Sequence, residues 1–274
     1  MTELLEAWPI ALALMGTGIF AGILAGLLGV GGGIVVVPVL YFIFQGFAVS
    51  APSAMAIATA TSLATIIPTG LSSVMAHYRK GNVDVEILKL WGGVILLAAV
   101  AGSYLASRLS GDFLTWMFGF IAILVSLNML FRANARALFE RLPGLFGQSM
   151  MAASVGGLSV MIGIGGGTIG VPLLTLFNVA VHRAVGTAAA FGLLIAVPGV
   201  ITLLLVGQEP ADALAGTWRL VNVPAFFLII PLTILFAPVG AKIASILNPG
   251  QLKRAFAVVL LITGVRMLLQ VGLN

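Results

Sequence analysis

Apolar runs long enough to cross a bilayer dominate this chain, and they leave few folds open to it. A transmembrane helix needs about 20 mostly apolar residues. Runs of that kind, some of them shorter, occupy 9–28, 34–44, 54–76, 85–107 and 113–131, then 148–163, 168–178, 182–206, 220–247 and 252–272. Only 8% of the 274 residues are charged, where a soluble domain carries about 25%. With so little charge to cover its surface, most of the chain needs lipid as its solvent. A secretory signal is a poor reading of the first run, because Glu3 and Glu6 precede it and no basic residue does. The expected class is all-α: a polytopic transmembrane helix bundle of the cell inner membrane, with the bilayer as its principal partner.

Several functions are set aside by what is missing. There are no cysteines, so disulfides, thiolate metal sites and a cysteine nucleophile drop out. The net charge of +5 comes from thinly spread basic residues that cannot track a phosphate backbone, so no nucleic acid partner is expected. All eight acidic residues fall in expected loops or at helix ends. Cation carriers and proton relays usually hold Asp or Glu within the membrane, and intramembrane hydrolysis needs buried carboxylates or ligand clusters. His77 and His182 sit apart at helix ends and read as interfacial residues. No metal, no cofactor and no enzymatic activity is expected.

The pattern of runs occurs twice. Gly31-Gly32-Gly33 is followed by Pro38, and Gly165-Gly166-Gly167 by Pro172 at the same spacing. Gly102-Ser103-Tyr104-Leu105-Ala106-Ser107 lines up with Gly240-Ala241-Lys242-Ile243-Ala244-Ser245, and the register holds through Met129 and Met267. We read residues 1–131 as one transmembrane repeat, 132–147 as a basic cytoplasmic linker and 148–274 as the second repeat. Placing that linker inside also puts most basic residues inside, and leaves Arg108, Arg219 and Arg266 outside. The assignment holds if each glycine-broken pair enters and leaves on one face. Each half then keeps three full crossings, and the two repeats are inverted. Inverted repeats are typical of secondary transporters with a site near the midplane.

The glycine breaks are the strongest local feature. Each glycine destabilises a helix interior by about 1 kcal/mol, so three in a row should unwind the backbone. Unwound backbone at membrane depth is tolerated where it is buried in protein or lines a wet cavity. The short helix after each break would offer free N–H groups that bind anions without a cationic side chain. Pro38 and Pro172 fit near the starts of those helices, where a missing N–H costs little. Close helix packing through small residues is the plainer reading of the glycines. A hydroxyl-rich start follows each short helix: Thr59, Thr61 and Ser62, with Thr65 a turn on, and Thr187 in the second half. Thr59 aligns with Thr187, whereas Thr61 and Ser62 face alanines. Such hydroxyls suit an oxyanion, although they also bond back to their own helix. Arg266 reads as snorkelling to the outer interface, and Pro224, Pro231 and Pro238 suggest kinks in the 220–247 run.

Gly26-Leu27-Leu28-Gly29-Val30-Gly31-Gly32-Gly33 with Pro38, the second break with Pro172, and His182-Arg183-Ala184-Val185-Gly186-Thr187 together resemble the TauE/SafE sulfite-exporter family. The resemblance covers almost the whole chain. It implies a transporter of small sulfur-containing anions such as sulfite or organosulfonates. Carried over by position, it also implies that the glycines, Thr59 and Thr187 line the translocation site. The expected substrate-binding set is therefore Gly31, Gly32, Gly33, Gly165, Gly166, Gly167, Thr59, Thr187, Thr61 and Ser62. An anion channel using the breaks as a filter, and a carrier of a small carboxylate, stay open beside it. A homo-oligomer also stays open, because lipid-facing and partner-facing surfaces are equally apolar.

Overall fold

The computed structural model describes residues 2–28, 32–131, 137–246 and 249–272. Ten helices account for nearly all of them: α1 Thr2–Leu28, α2 Gly33–Gly46, α3 Ala51–Arg79, α4 Val85–Ala106, α5 Gly111–Phe131, α6 Leu145–Met161, α7 Gly166–Leu176, α8 Val181–Val206, α9 Val223–Ile246 and α10 Pro249–Gly272. Two strands, β1 Thr217–Trp218 and β2 Val221–Asn222, form a minimal antiparallel hairpin just ahead of α9. The expected all-α helix bundle is the observed one. Among the described residues, five helices are long and apolar enough to cross a membrane: α3, α4, α5, α8 and the Val223–Gly240 part of α9. The side chains facing outward are the apolar ones a bilayer would solvate, such as Leu97, Leu205 and Phe227.

The helices do not pack in sequence order. The main partner of α1 is α9, and the main partner of α6 is α4. Both contacts are made by glycine against backbone. A Cβ at Gly18 would lie 2.8 Å from the Ile229 carbonyl oxygen, and one at Gly22 2.7 Å from that of Thr233. Likewise a Cβ at Gly156 would lie 2.6 Å from the Ile95 oxygen, and one at Gly102 2.8 Å from that of Gly157. Without a hydrophobic drive between helices in lipid, such close backbone approach is what holds them. At the centre α3 packs on α8, and α5 crosses α10 with Gly119 and Gly264 in reciprocal contact.

The joints explain where helices stop. The end of α6 is a Schellman motif: the Gly163 N–H donates to Val160 O and the Ile164 N–H to Ser159 O. That motif needs a left-handed residue after the helix, and Gly163 supplies it with φ +72°. The short helices α2 and α7 end alike, on left-handed Ala48 and Asn178. Pro38 and Pro172 lie in the second turns of α2 and α7, deeper than the first turn expected. There the missing proline N–H deprives the Ile34 and Thr168 carbonyls of their helical donor. Pro231 and Pro238 lie inside α9, which runs through both as one helix, and Pro224 lies in its first turn.

Candidate functional site

The two glycine breaks meet. A Cβ added at Gly33 would sit 2.9 Å from the Gly163 carbonyl oxygen and 3.1 Å from Ile164 Cα. The Ser62 hydroxyl donates to that same Gly163 oxygen at 2.8 Å, pinning the second break to α3. Ile66, one turn along α3, spans the gap between the short helices. Its Cδ1 lies 3.1 Å from the Cβ position of Gly33 and 3.7 Å from that of Gly165. Neither α2 nor α7 has a side-chain cap at its start, so each presents its first amides to this junction.

The glycines differ in how much room they have. Gly163 could take no side chain, since its backbone is left-handed and a Cβ would lie 2.7 Å from Thr59 Cα. Gly166 is pressed against α8, with a Cβ 2.5 Å from Phe191 Cβ. Gly167 is buried in the first turn of α7. Gly32 and Gly165, by contrast, have only ordinary contacts beyond 3.6 Å. Gly31 lies outside the described residues. Tight packing and room for a side chain thus occur together, on different glycines of the same break.

The hydroxyls divide in the same way. Thr61 Oγ1 accepts the Asn222 N–H at 2.9 Å, and Thr187 Oγ1 accepts the Asp84 N–H at 2.8 Å. Asp84 and Asn222 are the caps of α4 and α9, accepting from the N–H groups of Ile87 and Ala225. The sequence pairs Thr187 with Thr59, but its hydrogen-bonding counterpart is Thr61. Each holds the fourth helix of the opposite half, which sequence alignment of α3 with α8 could not reveal. Thr59 Oγ1, Ser159 Oγ and Thr168 Oγ1 are buried with no partner. Reading the sequence passed over Ser159, Thr168 and Ile66; Thr168 directly follows Gly167 and was within reach of the same argument. Apart from Asp84, the buried polar residues among those described are all Thr, Ser or Asn.

Both ends of the bundle are tied between helices, and one of them also carries a cleft. A cleft of about 420 Å³ runs between the start of α3, the end of α4 and the residues after α8. Its walls include Arg108, Ser53, Gln208 and Ala56. Ala56, its deepest residue along α3, is one turn before Thr59, and none of the break residues lines the cleft. At the opposite end Arg183 on α8 pairs with Asp84 at 3.1 Å, and Gly186 is pressed against the Asn82 carbonyl. Arg266 is far from both breaks in contact terms: it is exposed, with its guanidinium 4.4 Å over the Phe42 ring. His77 and His182 belong to no group of three ligands, and no such metal-holding group occurs among the described residues.

A family model described as "Sulfite exporter TauE/SafE" matches residues 14–267. A probable membrane transporter protein of Haemophilus influenzae is 27% identical over 253 residues, covering 92% of this chain and 96% of its own. Another, from Methanocaldococcus jannaschii, is 28% identical over 254 residues, with 92% and 93% covered. A third, from Bacillus subtilis, is 29% identical over 215 residues, with 70% and 77% covered. No solved structure matches the chain.

Proposed function

Because the chain belongs to the TauE/SafE sulfite exporter family and is a multi-pass membrane transporter, we propose that it carries a small anion, sulfite or an organosulfonate, across the cell inner membrane by alternating access. The observation that carries this reading is the junction of the breaks. Two uncapped helix starts, α2 and α7, open at one buried point, and helix starts of this kind attract negative charge. The neutral lining of Thr and Ser supports an anion that must also leave, since a fixed cation would hold it. Inverted halves are the reading of the crossed packing: α1 runs alongside α9 and α6 alongside α4, each helix in the same direction as its partner. The close approach of Gly33 to Gly163 supports a carrier, which must rearrange around its guest, over a channel.

The test is uptake of radiolabelled sulfite, methanesulfonate and acetate by proteoliposomes. Saturable flux with counterflow is expected for one of the sulfur anions; uptake of acetate alone would move the reading to a carboxylate carrier, and unitary currents would make it a channel. Gly165→Ala fits beside Ile66 and φ −75°, so this variant should fold yet alter flux. Normal flux in Gly165→Ala would take the second break out of the path.

A further inference from the structure

The two breaks differ chemically, and the difference lies in hydroxyl groups. Thr168, in the first turn of α7, is completely buried, and its Oγ1 has no hydrogen-bond partner. Proteins keep few buried polar atoms in that state, and each asks for an explanation. Cα–Cβ bonds in a helix tilt towards its N-terminus, so the Thr168 side chain is directed back towards the start of α7, where the first amides of Gly166 and Gly167 have no helical acceptor. Thr59 abuts Gly163 from α3; it is 2% exposed and its Oγ1 is equally unpaired. Among the described residues the first break has no such pair. Counted from the aligned glycines, Ile34 stands where Thr168 does, and Thr187, the sequence counterpart of Thr59, is tied to the Asp84 N–H.

We infer that the oxyanion headgroup of the guest is held at the second break, by the amides of Gly166 and Gly167 and the hydroxyls of Thr168 and Thr59. The first break adds its helix start to the same junction but no side-chain hydroxyl to the headgroup. The inference rests on the transporter reading above and adds to it the position of the charge and the residues that select for it. A hydroxyl donates one directed hydrogen bond to an anionic oxygen; an isosteric methyl offers none.

The experiment measures half-saturation and maximal rate for sulfite uptake in proteoliposomes. Thr168→Val should raise the half-saturating concentration about tenfold to a hundredfold, the range for losing a hydrogen bond to a charged group. Thr168→Ser keeps the donor and should restore the wild-type value. Thr59→Val provides the same test from a second helix should Thr168→Val fail to fold. Ser126→Ala is the control, since that hydroxyl is already bonded to the Ile123 carbonyl. Ile34→Thr should leave half-saturation unchanged; tightening there would mean that the guest straddles both breaks and would overturn the assignment. Unchanged half-saturation in Thr168→Val and Thr59→Val, with transport intact, would overturn it while leaving the transporter standing. A wild type that carries no sulfite, methanesulfonate or acetate would overturn both readings.

Discussion

Thr61 and Thr187 show how a hydroxyl in a membrane helix can serve a neighbour instead of its own turn. Each accepts a backbone N–H from the cap of a helix in the other half, Asn222 and Asp84 respectively. In lipid an amide without an acceptor has no water to fall back on. Thr61→Val or Thr187→Val should therefore destabilise the protein by about 1–3 kcal/mol each, the usual cost of leaving a buried donor unpaired. Equilibrium unfolding in mixed micelles measures it. Thr65→Val is the contrast, because its hydroxyl only bonds back to Ser62 O within α3; its loss should cost distinctly less. The hydroxyls were visible in the sequence, but their partners were not. Periodicity and spacing report neighbours along a helix, whereas these bonds join residues more than a hundred positions apart.

Hydropathy, in contrast, read the helices well. The expected 85–107 run is α4 Val85–Ala106, and 182–206 is α8 Val181–Val206, because lipid leaves a backbone little choice but to bond within its own segment. The segment after α8 was less legible. Expected as the start of a helix at 220, it instead holds the β1–β2 hairpin, turned by left-handed Arg219, whose guanidinium donates to the Gly207 carbonyl. This loop is tied to the start of α3 by Asp212. Hydrogen bonds from Ser53 first, and then from Ser50, hold its carboxyl down to about 2 from the usual 3.8. A carboxyl lowered on folding stabilises in full above its unfolded pKa and loses that support as pH falls through the folded one. The loop should therefore stay protease-resistant above pH 3.8 and loosen progressively towards about 2. Asp212→Asn should lose that acid transition; a profile matching the wild type would show the carboxylate to be idle.

The bundle is assembled by exchange between its halves, with α1 on α9 and α6 on α4. Cutting the chain ahead of α6, after residue 140, should thus give two fragments that fail separately and recover together. Expressed alone, residues 1–140 leave the Gly18–Gly22 face of α1 without α9, and should be degraded or aggregate. Co-expression with residues 141–274 should restore a co-purifying, transport-competent complex. A first fragment that stayed monodisperse by itself, with α1 protected from labelling, would contradict the exchange. The same interlocking sets an order of events during synthesis. The ribosome delivers α1 long before residues 223–246 exist, so the glycine-lined side of that helix must wait in lipid, or against an insertion factor, until nearly the whole chain has been made. The short helix behind it can settle on α3 early; the closing step of biogenesis is the late arrival of α9.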